Sequence, residues 1–286
     1  MADTPAEIDT AAQTAREKEL RLLDWLRARR FVLLGFSGGV DSAYLGCVAL
    51  DALGPDRLLA VIGRSPSYPD AQWDAARSVA TRFGIPVLEV NTQEMLDPRY
   101  AANPSNRCYF CKSELWSVLE TVAAQRNADT IIDGTNADDT RDWRPGSKAA
   151  REHDVRSPLA ELGITKAEIR LLSRERGIPT WSQPSSPCLS SRLPYGTAVT
   201  IERLRQVEIA ERNLRALGIE GDLRVRHHGD IARIEMSRDQ LDAWLADDRW
   251  PRVRDAVRDA GFARVTIDLR GFRSGSLNVL AQVTAA

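Results

Sequence analysis

Three cysteines of this sequence stand in polar surroundings at spacings that suit chemistry. Cys108 and Cys111 form a C-x-x-C pair in "NRCYFCKSELW", and Cys188 lies in the proline-bracketed segment "SSPCLSSRLPYG". A C-x-x-C pair is typical of a redox-active dithiol or of half a zinc site. Two close cysteines and a distant one also match three ligands of a [4Fe–4S] cluster that leaves one iron open. Both interpretations stand at this point.

The fourth cysteine has a different setting. Cys47 lies in the apolar helical stretch "AYLGCVAL", where a cysteine behaves as a small buried hydrophobe. A zinc site of four cysteines would need Cys47, and the three histidines are not at ligand spacing, which disfavours zinc. Arg107 and Lys112 flank the C-x-x-C pair and are expected to favour its thiolate forms.

A glycine-rich turn is the second chemical feature. "SGGVDS" follows the apolar run from Phe31 to Phe36 and precedes a helical pattern that reaches Leu53. A turn between a strand and a helix presents backbone N–H groups and a positive dipole end, which suit a polyphosphate. It lacks both the Gly-Lys-Ser/Thr ending of a kinase-type P-loop and the G-x-G-x-x-G spacing of a dinucleotide fold. The candidate phosphate-binding residues are Ser37, Gly38, Gly39, Val40, Asp41 and Ser42.

Composition limits the class of protein. The chain has 286 residues, 43% hydrophobic and 28% charged, with a net charge of −1. This is typical of a globular protein and lacks the basic excess expected of a nucleic-acid binder. No apolar run approaches the ~20 residues that span a bilayer, and the acidic N-terminus does not resemble a signal peptide. Few cysteines and no secretion signal predict a cytoplasmic protein with neither a membrane nor a nucleic-acid partner.

The elements that must position these residues alternate between strand and helix up to residue 133. Apolar, β-branched strands that alternate with helices predict an α/β fold with a parallel sheet and helices on both faces. Strands are predicted at 31–36, 58–62, 86–90 and 130–133, and helices at 15–30, 41–53, 71–83, 112–126 and 157–177. Thr165 and Glu168 are at capping-box spacing inside the last of these helices.

The pattern changes beyond a segment rich in proline and serine at 178–197. A long helix from Thr200 to Leu217 is followed by two alternating runs joined at Gly229-Asp230, which predict a β-hairpin. Two short helices and a last strand within 263–272 complete a smaller α+β unit. The predicted domains are 1–187 and 188–286.

"SGGVDS" after a strand resembles the PP-loop of ATP pyrophosphatases, which cleave ATP between the α and β phosphates. The resemblance implies that the loop holds pyrophosphate and that Arg64 and Ser65, in "VIGRSPSYP", contact adenine and ribose. It also implies that "IIDGTNADD" faces the α-phosphate and Mg²⁺ with four residues, Gly134, Asn136, Asp138 and Asp139. Carboxylates suit the hard Mg²⁺ ion; the alternative is that these aspartates only cap the following segment.

Several motifs together resemble one family of this superfamily, LarE, over the chain from about residue 15 onward. They are "FSGGVDS", "RPGSKAA", "SPCLSSRLPYGT", "RVRHHGDIARIE" and "VTIDLRGFRSGSLN". LarE proteins are ATP-dependent sulfur insertases that make the nickel-pincer nucleotide cofactor of lactate racemase and its relatives. The resemblance implies that the substrate is pyridinium-3,5-biscarboxylic acid mononucleotide, whose two carboxylates become thiocarboxylates.

The family has two forms, and the number of cysteines distinguishes them. One form sacrifices the sulfur of a single cysteine at the position of Cys188, and the other has three cysteines and is thought to carry a [4Fe–4S] cluster with an added sulfide. This sequence resembles the second form, which implies Cys108, Cys111 and Cys188 as cluster ligands. The resemblance also implies a sulfide donor as a partner and a homo-oligomer, a hexamer.

The chemistry implied by the resemblance needs an activated carboxylate. Transfer of AMP gives an acyl-adenylate, whose carbonyl is then attacked by sulfur on the open iron or on Cys188. Arg192 is expected to stabilise the negative charge that develops, and the neighbouring Ser191 is a further candidate catalytic residue.

The substrate phosphate needs a separate cationic site. Arg224 and Arg226 share one face of a predicted strand, and arginine binds phosphate bidentately. Glu235 and Lys148 are expected to complete the substrate and nucleotide contacts. Single arginines in this charge-rich region could instead form solvated surface ion pairs.

Three other functions compete with this prediction. A PP-loop tRNA thiolase also joins this loop to a C-x-x-C pair, but it should show a basic RNA-binding face or zinc-ribbon cysteines. An NAD- or GMP-synthetase-like adenylating ligase would share residues 31–139 without needing three cysteines. A nucleotide-binding cluster sensor would be no enzyme and would need no second anion site.

Overall fold

The computed structural model describes residues 5–141, 145–184, 187–245 and 249–273. The chain divides into two units, and neither is continuous in sequence. Unit 1 comprises Met1–Ser65, Asp70–Glu94 and Cys108–Ser186, and unit 2 comprises Pro66–Pro69, Met95–Arg107 and Pro187–Ala286. Two segments from between the strands of the first unit therefore belong to the second.

Unit 1 is built on a parallel sheet of four strands in the order β3-β2-β1-β4. The strands are β1 (Val32–Gly35), β2 (Leu58–Arg64), β3 (Val87–Asn91) and β4 (Thr130–Ile132). Val32 pairs with Leu58 on one side and with Thr130 on the other, so β1 is covered on both edges. The predicted α/β class with a parallel sheet is confirmed.

Helices connect the strands of this sheet and continue through the rest of the described chain. They are α1 (Pro5–Arg27), α2 (Val40–Leu53), α3 (Asp70–Phe83), α4 (Pro98–Ala101), α5 (Arg107–Arg126), α6 (Pro145–Glu152), α7 (Pro158–Glu161), α8 (Lys166–Glu175), α9 (Ile201–Ala216), α10 (Arg238–Leu245) and α11 (Trp250–Arg258). A core cluster that includes Leu33, Val61, Trp116 and Leu119 joins α5 to the sheet.

The single helix predicted at 157–177 is wrong, because the structure has two helices there. Gly163 has a left-handed φ of 67° between α7 and α8, a conformation that an α-helix cannot continue through. The predicted capping box is confirmed at the start of α8, where the Thr165 side chain accepts from the Glu168 N–H. The Glu168 carboxylate in turn accepts from the Thr165 N–H at 2.7 Å.

Unit 2 contains a three-stranded sheet in the order β5-β6-β7. Its strands are β5 (Leu223–His228), β6 (Ile231–Met236) and β7 (Arg264–Ile267). β5 and β6 form the predicted antiparallel hairpin, and β7 joins β6 in parallel. Gly229 takes the left-handed φ of 68° that the tight turn requires. No helix in the described ranges has the length and apolar character needed to cross a membrane.

Candidate active site

The glycine-rich turn lies where the strand order of unit 1 reverses. The chain passes from β1 to β2 and β3 on one side, and β4 then pairs on the other side of β1. In open parallel sheets the loops after two such strands separate, and ligands bind in the crevice between them. Here those loops are 37–39, after β1, and 133–139, after β4.

The turn after β1 is held tightly by its own side chains and by α3. The Ser42 hydroxyl donates to the Gly39 carbonyl at 3.3 Å, accepts from the Ser37 N–H at 3.2 Å and lies 3.1 Å from the Ser37 hydroxyl. Gly38 has a φ of 65°, and a Cβ there would lie 2.4 Å from the Cα of Ala76. Gly39 precedes the first residue of α2, Val40, so this turn leads directly into the N-terminus of a helix.

The loop after β4 meets this turn without space for a side chain. A Cβ on Gly134 would lie 2.9 Å from the Ser42 nitrogen. Asn136 is buried, and its Nδ2 donates to Asp41 at 3.3 Å. Asp41, in the first turn of α2, is thereby linked to the second loop.

Asp138 and Asp139 take part in the local backbone structure of that loop. The Asn136 Oδ1 accepts from the N–H groups of both aspartates, at 2.9 and 3.3 Å. Asp139 accepts from the Asn136 N–H at 3.2 Å, and Asp138 accepts from the N–H of Lys166 at 2.8 Å. Asp138 therefore contacts the first residue of the distant helix α8, whose N-cap is Thr165, and not the segment that follows it in sequence. A role of these carboxylates in binding Mg²⁺ stays a prediction.

Lys166 is a residue of this site that sequence reasoning missed. Its Nζ donates to the Asp41 carboxylate at 2.6 Å, and the pair is partly buried. A signal was present in the sequence, since Lys166 follows the N-cap Thr165 and a lysine in the first turn of a helix opposes the helix dipole. A lysine at this unfavourable position indicates that its charge is stabilised by a residue outside the helix. In the structure that residue is Asp41.

Arg64 is the last residue of β2, and Ser65 follows it at the same edge of the sheet. The Arg64 guanidinium lies 4.0 Å from the centre of the Trp73 ring and 3.5 Å from Asp70. The indole N–H of Trp73 donates to Glu89 at 3.0 Å. These contacts hold Arg64 beside an aromatic face of α3. The predicted contact of Arg64 and Ser65 with adenine and ribose stays a prediction.

The C-x-x-C pair lies in the first turn of α5, at the same edge of the sheet as the glycine-rich turn. α5 packs closely on the sheet at two glycines. A Cβ on Gly35 would lie 2.9 Å from the Trp116 ring, and one on Gly63 would lie 2.7 Å from Leu115. Because α5 runs towards the start of β4, its first turn extends past the carboxyl ends of the strands. At about 1.5 Å per residue, Cys108 is roughly 12 Å along the helix from Trp116.

α6, which contains most of "RPGSKAA", packs against this first turn. A Cβ on Gly146 would lie 3.1 Å from Lys112 and 3.8 Å from the Cys108 carbonyl. The Tyr109 hydroxyl donates to Glu152 at 2.6 Å, and this hydrogen bond holds the pKa of Glu152 below its usual value. Lys148 lies 3.6 Å from Glu152 and 5.2 Å from the Tyr109 ring, largely exposed. Its contact with a nucleotide stays a prediction.

Buried arginines hold the turn that contains Cys188 in unit 2. Cys188 precedes a short 3₁₀ helix, Leu189–Arg192. Arg192 Nη1 donates to the carbonyls of Pro187 and Cys188 at 2.5 and 3.2 Å, and to the Ser191 hydroxyl at 3.2 Å. Arg226 Nη1 donates to the Ser191 carbonyl at 2.8 Å. Cys188 itself is half-buried.

Two glutamates pair with the arginines around this turn. Glu211 accepts from Arg192 Nε and Nη2, both at 2.9 Å, and Arg192 is 2% exposed. Glu235 accepts from Arg226 at 2.7 and 2.9 Å and from Arg233 at 2.9 Å. The donors of Arg192 therefore point at Glu211 and at the turn, and its donation to a reacting carbonyl stays a prediction.

Arg224 adds positive charge to this group. It is buried on β5 opposite Glu235 in the strand register. Burial, together with the positive charge of Arg192, lowers its pKa to about 10. A bound anion would relieve both effects, but the binding of a substrate phosphate by Arg224 and Arg226 stays a prediction.

A cavity of about 510 Å³ lies elsewhere in unit 1. Its lining includes Arg29, Asp129, Thr130, His153 and Arg156. Thr130 starts β4, so the cavity lies at the opposite end of that strand from the loop 133–139. None of the predicted site residues lines it.

The two cysteines of α5 are candidate metal ligands. Cys108 and Cys111 are three residues apart on α5, so both lie on one face of its first turn and suit two corners of a cluster. Over the described ranges, no group of three or more His, Cys, Asp or Glu side chains stands in a geometry that could hold a metal ion. The three-cysteine cluster thus stays a prediction.

Comparison with known proteins gives a consistent family. The NAD synthase family model matches residues 21–107, which include the glycine-rich turn. An uncharacterized protein of Synechocystis sp. is 45% identical over 86% of this chain and 91% of its own length. The pyridinium-3,5-bisthiocarboxylic acid mononucleotide synthase of Lactiplantibacillus plantarum is 37% identical over 93% of this chain and 95% of its own length.

More distant relatives share less of the chain. The NH₃-dependent NAD⁺ synthetase of Pyrococcus furiosus is 35% identical over 27% of the chain, and the tRNA-specific 2-thiouridylase of Chlorobium phaeovibrioides is 26% identical over 54%. The similarity to the bisthiocarboxylic acid mononucleotide synthase instead spans nearly the full length of both chains. The chain therefore belongs to the LarE family of PP-loop proteins.

Proposed function

We propose that this protein is an ATP-dependent sulfurtransferase that converts the carboxylates of pyridinium-3,5-biscarboxylic acid mononucleotide into thiocarboxylates. The observation that carries the proposal is the placement, in unit 1, of the C-x-x-C pair and the glycine-rich turn at one edge of the sheet. A phosphate-binding turn and candidate sulfur-bearing residues are both needed for sulfur transfer to an adenylated acid. The nearly full-length similarity to the L. plantarum synthase supports the same reaction.

In this proposal the turn at 37–42 binds the β and γ phosphates of ATP. The N–H groups at the start of α2 point towards the crevice and favour negative charge. Lys166 and Asn136 hold Asp41 beside the phosphates, and Asp138 and Asp139 have carboxylates suited to Mg²⁺. Adenylation then gives the substrate carboxylate a good leaving group, AMP, which sulfur can displace.

The substrate phosphate would bind at Arg224 and Arg226. Both are buried, and the pKa of Arg224 is lowered because burial disfavours its charged form. A bound phosphate would stabilise that positive charge. Glu235 orients Arg226 through two hydrogen bonds. Arg226 also donates to the carbonyl of Ser191, three residues after Cys188, which supports a substrate bound close to that cysteine.

The sulfur would be held by Cys108, Cys111 and Cys188. Bound by these three thiols, a [4Fe–4S] cluster would supply an open iron that holds the sulfide to be transferred. Cytoplasmic location, a sulfide donor as partner and a homo-oligomer belong to the same proposal.

An anaerobic multiple-turnover assay tests the function. Protein reconstituted with iron and sulfide is incubated with ATP, Mg²⁺, sulfide and the biscarboxylated mononucleotide, and thiocarboxylate formation is followed by mass. More than one product per polypeptide supports catalysis with an external sulfur source. One product per chain together with loss of sulfur from Cys188 would instead show self-sacrifice, and no mass gain at all would refute the proposal.

A spectroscopic experiment tests the cluster separately. Reconstituted wild-type protein should be brown, and the Cys108→Ala, Cys111→Ala and Cys188→Ala variants should each lose absorption near the visible charge-transfer bands. Cys47→Ala is the matched control, because Cys47 is buried on α2. Equal iron content in all four variants would contradict the proposed ligand set.

A further inference from the structure

We propose that Arg107 is a positioning residue for the turn that contains Cys188, an inference that rests on the proposed function of that cysteine. Arg107 is the first residue of α5 and is 4% exposed. Its Nη1 donates to the Ser190 carbonyl at 2.9 Å. The sequence suggested that its charge would act on the neighbouring thiols, but the structure directs the guanidinium at the backbone of the Cys188 turn.

Asn103 supports Arg107 from the same segment. The Arg107 Nη1 also donates to the Asn103 Oδ1. Asn103 is fully buried with a left-handed φ of 55°, a conformation that asparagine tolerates better than most residues. Its Nδ2 donates to the carbonyls of Pro194 and Thr197 at 2.8 and 2.9 Å. Asn103 therefore joins the segment before α5 to the chain that follows the Cys188 turn.

Other bonds of the same region reach residues next to Cys188. The Tyr100 hydroxyl lies 2.6 Å from the Ser190 hydroxyl, and the Leu189 N–H donates to the Ser67 carbonyl at 2.8 Å. Arg192 holds the carbonyls of Pro187 and Cys188, Arg107 that of Ser190, and Arg226 that of Ser191. The backbone on both sides of Cys188 is thus fixed by three buried guanidinium groups.

This arrangement restricts the direction in which the Cys188 side chain leaves the backbone. A guanidinium donates in a rigid fork, so three of them restrict the backbone angles from Pro187 to Ser191 and with them the Cα–Cβ bond of Cys188. Transfer between sulfur and a carbonyl carbon needs the two atoms at near-attack distance, where a displacement of about 1 Å can cost roughly a hundredfold in rate. Arg107 acts through the turn and has no assigned contact with substrate.

The test measures Cys188 itself. In a Cys108→Ser, Cys111→Ser background, which excludes the proposed cluster, the rate of alkylation of Cys188 by iodoacetamide is followed by peptide mass spectrometry. Arg107→Gln should change this rate on the order of tenfold because two hydrogen bonds from a buried charge are lost. Arg107→Lys, which keeps the charge, should return part of the way to the wild-type rate. Arg99→Gln is the control, since Arg99 pairs with Asp97 on the exposed surface of the same segment.

A wild-type alkylation rate in folded Arg107→Gln protein overturns the proposal. Should that variant fail to fold, as judged by circular dichroism, folded Arg107→Lys protein replaces it. Lysine lacks the rigid fork of the guanidinium, so its rate must also differ from that of the wild type, and a wild-type rate overturns the proposal. In protein with all its cysteines, Arg107→Gln should lower kcat for thiocarboxylate formation and leave the KM for ATP unchanged. A wild-type protein that forms no thiocarboxylate refutes the proposed function, but the alkylation result is independent of it.

Discussion

The ammonium group of Lys166 donates to the carboxylate of Asp41 across 125 positions of sequence, at 2.6 Å. Asp41 belongs to the first turn of α2, and Lys166 opens α8. Since the backbone N–H of Lys166 also donates to Asp138, one residue joins both loops of the crevice. In the proposed nucleotide site, Lys166 would balance the charge of Asp41.

Lys166→Met should raise the KM for ATP by about tenfold. Without the lysine, the Asp41 carboxylate next to the bound phosphates loses its counter-charge and repels them, which costs about 1–2 kcal/mol. ATP–pyrophosphate exchange measures the effect. Arg82→Met, an exposed cation of α3 that contacts Phe83, is the control and should leave the KM unchanged. A Lys166→Met protein with the wild-type KM would remove Lys166 from the site.

Gly38→Ala should abolish ATP binding and destabilise the protein by more than about 2 kcal/mol. The change adds a Cβ at a positive φ, which costs about 1–2 kcal/mol, and drives it into the backbone of Ala76. Gly54→Ala is the matched control, because Gly54 also has a positive φ but a Cβ there meets nothing within 4 Å. Urea unfolding and ATP titration should separate the two variants, and equal stability losses would show that the contact with α3 is unimportant.

Glu211→Gln should lower the free energy of unfolding by about 3 kcal/mol, since it leaves the buried charge of Arg192 without its carboxylate. Glu175→Gln tests the same geometry at the surface: Glu175 accepts from Arg16 with two bonds, at 2.8 and 3.3 Å, but both side chains are well exposed. That pair should contribute about 0–1 kcal/mol. Guanidinium denaturation compares the two, and a small effect of Glu211→Gln would indicate that Arg192 finds other partners.

The protein should lose stability as the pH falls through about 6.5, in part because of His227. Burial, with Arg203 nearby, holds the pKa of this histidine below its usual 6.5. Its Nε2 lies 3.0 Å from Gln206, and its Nδ1 has no hydrogen bond to the described part of the chain. The unfolded chain therefore takes up a proton that the folded chain does not, and acid favours unfolding.

Thermal melts of His227→Gln between pH 7.5 and 5.5 should show a smaller loss of stability than wild type. Asn213→Ala is the control. It removes an uncharged hydrogen bond of α9 to the Ala256 carbonyl and should lower stability equally at each pH. A His227→Gln protein with the wild-type pH dependence would contradict the assignment.

Cys47 should resist alkylation in the folded protein. Burial raises the pKa of its thiol to about 12, so the reactive thiolate is scarce at pH 8. Iodoacetamide labelling with peptide mapping should modify Cys108, which is exposed, at least a hundredfold faster. In urea the two cysteines should be labelled at similar rates, because the protection by burial is lost. Similar rates in the native protein would contradict the burial of Cys47.

Local pattern was sufficient to predict much of the fold. The alternation of strand and helix gave the parallel sheet, the Gly229-Asp230 turn gave the hairpin, and Thr165 with Glu168 gave the capping box. These features depend on residues within about four positions of each other. The break at Gly163 was missed because one glycine inside an amphipathic pattern is compatible with a continuous helix.

Contacts between distant residues could not be predicted from pattern. Neither the pairing of Lys166 with Asp41 nor the hydrogen bond from Arg107 to Ser190 has a periodic signal. For the same reason, the inclusion of residues 66–69 and 95–107 in unit 2 was not expected. Their backbone bonds, such as the Gly196 N–H to the Asn103 carbonyl at 2.8 Å, join segments about ninety positions apart.

Residues 95–107 belong to unit 2 although they lie between strands of unit 1, and this limits how the two units can be expressed separately. A gene fragment starting at codon 187 would encode β5, β6 and β7 but omit Tyr100, Asn103 and Arg107, so the polypeptide would lack the inner partners of its own cysteine loop. Circular permutation or a split-protein design would have to keep that inserted stretch with the carboxyl-terminal half. Truncation at residue 187 would therefore not give a complete second unit. Co-expression of two complementary fragments would keep all of its residues present.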